Sequence, residues 1–153
     1  MSGKNFDKIK GLDISRDITV AEFLEKIKHT GFQATNLGRA AEIIEKMKRD
    51  KATIFLAFTS NMASSGLRDI FAYIAKNKLV DVIITSIGSV EEDLIKSQMP
   101  FILGSFDMDD VELHKKGVNR IGNILVPNDR YEHLERILQP FFKKIHDNQK
   151  KTG

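Results

Sequence analysis

The chain has 153 residues, enough for one domain with a hydrophobic core of its own. Hydrophobic residues make up 41% and charged residues 29%, a balance that excludes intrinsic disorder. Lysine and arginine number 24 against 21 aspartates and glutamates, an excess too small to indicate a nucleic-acid partner. The absence of cysteine excludes disulfides, thiolate metal sites and cysteine nucleophiles. Because no segment resembles a membrane helix or a signal peptide, we expect a soluble, cytoplasmic protein without a membrane partner.

Residues 1–50 are predicted to form an N-terminal arm followed by two helices. Residues 1–18 mix charged and isolated apolar side chains without a period, which is typical of an extended arm. A threonine and a glutamate with capping-box spacing begin the segment 19–29, which predicts the first helix. After a short loop over residues 30–35, Asn36 is predicted to cap the second helix, over residues 37–48.

From residue 51 to residue 153, short apolar runs alternate with helical segments. Such alternation is typical of βαβ units, so the sequence predicts an α/β fold with a parallel sheet and flanking helices. The first run, residues 53–58, is continuously apolar, as expected for a strand that is covered on both faces. The predicted strands are 53–58, 80–85, 101–103 and 121–126. The predicted helices are 66–77, one that begins at Val90 behind a capping box of Ser89 and Glu92, 109–116, and 129–148, which Pro140 should kink or divide.

Small polar residues follow the first two predicted strands, in predicted loop segments that lead into helices, TSNMASSG (59–66) and TSIGSVEED (85–93). Because parallel strands have their carboxyl ends at one edge of the sheet, these segments should lie together where such sheets bind ligands. Small side chains allow a ligand to approach the backbone, and helix N-termini suit phosphate groups. The same residue types favour ordinary strand-to-helix turns. The residues alone therefore leave a nucleotide-type site and a structural role both open.

Two adjacent carboxylates, Glu91 and Glu92, are predicted to lie in the first helical turn behind the second strand. There they could hold a cationic amine or take up a proton. Acidic residues in a first turn also stabilise a helix through its dipole, and Glu92 completes the predicted capping box. Spacing alone therefore favours the structural interpretation. The four histidines show neither metal-binding spacing nor an adjacent nucleophile, so no metal site is predicted.

Four longer segments carry a distinctive combination of motifs. They are TGFQATNLGRA (30–40), FTSNMASSGLRD (58–69), VDVIITSIGSVEEDLIK (80–96) and NRIGNILVPND (119–129). In order and spacing they resemble deoxyhypusine synthase, and the resemblance extends from about Ile9 to the C-terminus. It implies a Rossmann-like fold, assembled as a homo- or hetero-tetramer with active sites shared between subunits. It also implies that NAD oxidises spermidine, whose aminobutyl group passes through an enzyme lysine imine to a lysine of the hypusine-containing translation factor precursor.

The resemblance also assigns roles to individual residues. Those matched to the NAD-binding segments are Ser60, Asn61, Met62, Ala63, Ser64, Ser86, Ile87 and Gly88. Those matched to the acidic pair that binds spermidine are Glu91 and Glu92. The chemistry agrees with these roles, because a polyamine cation needs carboxylates close to the nicotinamide that accepts its hydride.

The chain departs from the family's pattern in three respects. Its second NAD-binding segment reads TSIGS where the family usually has TTAGG, so Ile87 and Ser89 could reshape that side of the site. The segment ahead of the motifs is short, so the helical plug that covers a neighbour's active-site entrance could be reduced or absent. The chain also ends near the middle of the family's length, and no lysine in it matches the catalytic one. We therefore expect a separate C-terminal half chain that carries this lysine and completes the sheet.

Two other functions stay open from the sequence. A non-catalytic paralogue that binds and regulates an active synthase would account for the TSIGS segment. The intact SNMAS segment and the pair Glu91 and Glu92 favour the enzyme instead. Homospermidine synthase, a close relative that uses a small amine as acceptor, is not distinguished by this half of the family's length.

Overall fold

Two strands form the parallel pair that the sequence predicts. β1 (Phe55–Phe58) and β2 (Val82–Thr85) pair in parallel in the computed structural model, which describes residues 6–152. The chain between them is helical, so the two strands and their connection make one βαβ unit. The burial of β1 differs from the prediction. Phe55 and Ile84 are 61% and 54% exposed, so this chain does not cover the sheet on both faces.

The later strands form an antiparallel sheet, and the prediction that they continue the parallel sheet is wrong. β3 (Ile102–Leu103), β4 (Val118–Ile121) and β5 (Ile124–Pro127) pair in the order β3-β5-β4. Residues 121–126, predicted as one strand, instead contain the turn of a hairpin. Ile121 ends β4 before this turn, and β5 begins at Ile124 after it. Gly122 reverses the chain there with a φ of +61°, which glycine adopts without strain. Residues 6–152 therefore form a mixed α/β fold that contains a small parallel sheet.

The helices follow most of the predicted segments. Thr19 and Glu22 form the predicted reciprocal capping box, Asp109 caps a helix that ends before Gly117, and the last helix continues through Pro140 without being divided. Among residues 6–152, no helix has the length and apolar character needed to cross a membrane. The helices of this range are α1 (Val20–Ile27), α2 (Phe32–Arg49), α3 (Ser60–Ser64), α4 (Arg68–Lys76), α5 (Ile87–Gln98), α6 (Asp110–Lys115) and α7 (Asn128–Thr152).

The start of α2 differs from the prediction. Gly31 rather than Asn36 is the N-cap residue, so most of the predicted loop over residues 30–35 is helical. The Gly31 N–H donates to Thr35 Oγ1 at 2.9 Å, which satisfies a backbone donor that the helix itself leaves unpaired. Asn36 lies in the second turn, where its amide donates to Gln33 Oε1 at 2.9 Å. A threonine inside the helix thus replaces the predicted cap.

The chain divides into two units, one up to Ile54 and one from Phe55. In the first unit, α1 packs against α2 and Ile27 is buried. In the second unit, α5 packs against α3 and α7. The buried hydrophobic side chains of the second unit include Ala63, Ile95, Leu113, Val126 and Leu134.

The capping box of α1 gives a prediction that can be tested by titration. Hydrogen bonds from the Arg16 side chain and the Thr19 backbone, with the nearby Arg16 charge, lower the pKa of Glu22 to about 2. A lowered carboxyl pKa stabilises the fold above the unfolded value of 4.5, and this stabilisation is lost as the pH falls through about 2. We expect Arg16→Ala to raise the Glu22 pKa toward 4.5, measured from the side-chain carboxyl NMR shift. A pKa that stays near 2 would show that Arg16 is not its main cause.

Candidate functional site

The two polar segments lie together at the carboxyl edge of the parallel sheet, as the sequence predicts. Phe58 at the end of β1 pairs with Thr85 at the end of β2. Thr85 Oγ1 donates to the Phe58 carbonyl oxygen at 2.8 Å, and Ser89 Oγ lies 2.5 Å from the same hydroxyl. Both strands therefore end at the same level, and α3 and α5 both begin at this edge.

Both segments are helical where the sequence predicts a loop and a capping box. Residues 60–64 form α3 rather than a loop. α5 begins at Ile87 behind Ser86, so Ser89 is buried inside the helix instead of capping it. Neither Thr59 nor Ser86, the N-cap residues of α3 and α5, makes a side-chain capping bond. The first N–H groups of both helices are therefore left without a side-chain cap at the carboxyl edge of the sheet.

α3 and α5 come into close contact at Gly88. A Cβ atom placed on Gly88 would lie 3.0 Å from the Cβ and 3.3 Å from the Oγ of Ser60. Carbon atoms separated by less than about 3.5 Å are inside their optimal contact distance. The glycine of the TSIGS segment therefore allows the two helices to begin side by side.

Ser64 and Glu92 connect the same two helices further along. The Ser64 hydroxyl donates to the Glu92 carboxylate, although the two residues are 28 positions apart in the sequence. Ser64 is buried and Glu92 is half-buried. The predicted capping box is therefore wrong: Glu92 lies in the second turn of α5, whose first turn contains no acidic residue. Helix capping and the helix dipole do not account for this carboxylate.

Glu91 faces a different neighbour from Glu92. It is exposed and lines a shallow cavity of about 290 Å³ together with Tyr131 and Phe142 of α7. Burial raises the pKa of the Tyr131 hydroxyl, and the negative charges of Glu92 and Glu91 raise it further. Both carboxylates therefore contribute negative potential at this end of α5, which favours a cationic ligand. Nothing local in the sequence points to Tyr131, because its helical spacing from Leu134 and Leu138 indicates an apolar stripe on the last helix.

The residues matched to the NAD-binding segments divide into two groups. Ala63 and Ser64 are buried in the contact between α3 and α5. The matched residues that are exposed or half-exposed at the sheet edge are Ser60, Asn61, Met62, Ser86, Ile87 and Gly88.

In the part of the chain that the structure describes, no group of three or more histidine and carboxylate side chains could hold a metal ion.

Comparison with known proteins shows the family. The family model of deoxyhypusine synthase matches residues 22–153. The chain belongs to the deoxyhypusine synthase family. A protein of Pyrococcus furiosus described as a probable deoxyhypusine synthase is 47% identical over 151 residues, 95% of this chain and 45% of that protein. A protein of Methanocaldococcus jannaschii with the same description is 46% identical, over 95% of this chain and 46% of that protein.

A solved structure agrees with this family assignment. A crystal structure assigned to a deoxyhypusine synthase from Entamoeba histolytica has a TM-score of 0.58 at 30% sequence identity. The match covers 91% of this chain and 49% of that one. The chain thus spans about half the length of the deoxyhypusine synthase relatives that it matches.

Proposed function

We propose that this chain supplies the NAD-binding edge and the spermidine-binding carboxylates of a deoxyhypusine synthase. The register of β1 and β2 carries the proposal, because it places the two matched segments at one edge of the sheet. The catalytic lysine and the remaining strands of a Rossmann-like sheet belong to the part of the family's length that this chain does not span. This chain and that part together form the complete protein. It is a cytoplasmic tetramer that transfers the aminobutyl group of spermidine to a lysine of the translation factor precursor.

The residues at the sheet edge fit a dinucleotide by their chemistry. Ser60, Asn61 and Ser86 offer hydroxyl and amide groups, which suit the hydroxyls of ribose and the carboxamide of nicotinamide. The start of α5 has no side-chain cap, so its N–H groups can bind a phosphate. Met62 is 37% exposed and provides apolar surface for a ring. NAD bound here supplies the hydride acceptor for oxidation of the amine.

The carboxylates of α5 fit a polyamine. The hydroxyl of Ser64 fixes the orientation of Glu92 before a ligand arrives, which reduces the cost of ordering that side chain on binding. Glu91 adds a second, exposed negative charge one residue earlier. An ammonium group bound to either carboxylate would form charge-assisted hydrogen bonds, which are stronger than those between neutral groups.

Ile87 is the feature that favours the alternative, a non-catalytic paralogue that regulates an active synthase. Its side chain is 80% exposed at the sheet edge, where the family usually has alanine. The larger side chain therefore leaves the packing of α5 unaffected and occupies space in front of the edge. NAD binding separates the two functions, because a paralogue with a blocked edge would not bind the dinucleotide.

Replacing Asn61 by leucine tests the NAD site. We expect NAD binding to weaken about tenfold or more, ~1.4 kcal/mol, because an apolar side chain replaces the amide at the ligand edge. Asn61 is exposed, so the fold should tolerate the change. The measurement is a calorimetric titration of NAD into the complete protein. Asn77→Leu, an exposed asparagine at the end of α4, is the control and should leave the affinity unchanged.

Two outcomes would contradict the assignment. Equal NAD affinity in wild type and Asn61→Leu would remove Asn61 from the site. A wild-type protein that binds no NAD would contradict the proposed function and favour the regulatory paralogue.

A further inference from the structure

Lys96 is a half-buried cation that the roles assigned above do not use. Its Nζ atom donates to three backbone carbonyl oxygens, those of Ala63 at 3.0 Å, Ser64 at 2.8 Å and Ser65 at 2.6 Å. An ammonium group has three N–H donors, so these contacts use all of them. The Phe101 ring centre lies 5.8 Å from the same atom, within the range of a cation–π contact. A side chain of α5 thus caps the C-terminal end of α3.

The short helix α3 depends on such external contacts. It has five residues, and an isolated helix of this length is unstable in water because its nucleation cost is not recovered. Its N-cap residue Thr59 makes no side-chain capping bond, and Ser65 at its other end is already extended. The last carbonyl groups of a helix carry partial negative charge, which a cation stabilises. The ammonium of Lys96 supplies that cation.

Lys96 acts on the same residue as Glu92. The two lie four positions apart on α5 and therefore share one face of the helix. Glu92 accepts the hydrogen bond of the Ser64 hydroxyl, while Lys96 donates to the Ser64 carbonyl oxygen. Burial is the main cause that lowers the pKa of Lys96. The positive charge of Arg68 lowers this pKa further, while nearby carboxylates raise it. Ser64 is consequently held at both its side chain and its backbone by residues one helical turn apart.

We propose that Lys96 is a positioning residue that holds α3 in the orientation needed for binding NAD. Through α3 it places Ser60 and Asn61 at the sheet edge and keeps Ser64 aligned with Glu92. This proposal rests on the proposed function of α3 as part of the NAD site. The role requires a compact ammonium, because three oxygens converge on one nitrogen atom and the planar guanidinium of arginine does not reproduce that arrangement.

Replacing Lys96 by methionine in the complete protein tests the proposal, since methionine keeps an unbranched apolar stem and removes the donors. We expect NAD to bind about tenfold more weakly, measured by calorimetry. Amide hydrogen exchange over residues 60–66 should become about tenfold faster without NAD present, while exchange over 110–116 stays unchanged. Lys96→Arg should give intermediate values for both measurements. Lys115→Met removes an exposed ion pair with Glu112 (2.7 Å) and should change neither.

Each contrary outcome has a distinct meaning. If wild type binds NAD and Lys96→Met binds it equally well, the positioning role is overturned and the proposed function stands. A lower melting temperature with unchanged NAD affinity also overturns it, because Lys96 would then serve stability alone. A wild-type protein that binds no NAD contradicts the proposed function itself, and this is seen before any residue is replaced.

Discussion

Replacing Glu92 by glutamine is expected to raise the spermidine concentration needed for half-maximal activity by roughly ten- to hundredfold. Removing one charge-assisted hydrogen bond from a desolvated site costs about 1.5–3 kcal/mol, and each ~1.4 kcal/mol corresponds to tenfold. Glutamine has the same shape, and its amide oxygen can still accept the hydrogen bond from the buried Ser64 hydroxyl. The packing of α3 against α5 should therefore persist, so that the effect reports the removal of the negative charge. NAD affinity should change little.

Steady-state kinetics of the complete protein, with spermidine varied at saturating NAD, provides the measurement. Glu112→Gln is the matched control, because Glu112 is an exposed carboxylate on α6 that pairs with Lys115. A surface change of this kind is expected to stay within about 0.5 kcal/mol. Glu91→Gln should have a smaller effect than Glu92→Gln, because Glu91 is exposed to solvent. If Glu92→Gln lowers the melting temperature but leaves the spermidine dependence unchanged, this carboxylate is structural.

The shared edge of β1 and β2 could be predicted because each of its signals is local. An apolar run of strand length followed by small polar residues occurs twice, and a helical connection between two such strands makes the pair parallel. Parallel pairing then fixes which ends meet, as in the register of Phe58 with Thr85. No contact between distant residues had to be known.

The contact between Glu92 and Ser64 could not be derived from spacing, because the two residues are 28 positions apart in the sequence. Ser89 and Glu92 have the spacing of a capping box, yet the Ser89 hydroxyl lies 2.5 Å from that of Thr85. Glu92 contacts Ser64 instead. A capping box is one of several ways to pair the hydrogen-bonding groups of serine and glutamate side chains. Here the packing of α3 against α5 brings these groups to other partners instead. The three acceptors of Lys96 lie 31–33 positions away and left no local signal either.

The wrong prediction for β4 and β5 has a different cause, because a hairpin signal is present in the sequence. The apolar run that predicts one strand contains Gly122 and Asn123, a pair typical of a two-residue hairpin turn. The strand prediction follows the apolar residues on both sides of this pair and disregards the turn signal between them. The resulting antiparallel sheet removed the later strands from the predicted parallel sheet.

The close approach of α3 and α5 at Gly88 predicts a loss of stability when a larger residue replaces this glycine. We expect Gly88→Ala to lower the free energy of unfolding by about 1–3 kcal/mol, because overpacking forces neighbouring groups to move. The new Cβ would lie 3.0 Å from the Cβ of Ser60. Glycine to alanine within a helix otherwise stabilises by roughly 0.5–1 kcal/mol, so the sign of the change is itself informative. Urea denaturation of the complete protein provides the measurement.

A pair of further variants isolates the cause of that destabilisation. Gly66→Ala is the matched control, because no atom beyond the glycine itself and its two chain neighbours lies within 4 Å of its Cβ position, and its stability should stay within about 0.5 kcal/mol of wild type. Ser60→Gly removes the atoms that the Cβ on residue 88 would meet, so the double variant should recover most of the stability, with a coupling of about 0.5–3 kcal/mol. The double variant should nevertheless bind NAD more weakly than wild type, because it lacks the Ser60 hydroxyl at the sheet edge. If Gly88→Ala is as stable as wild type, α3 and α5 are not in tight contact at this position. The inference that Gly88 is needed for the two helices to begin side by side is then wrong.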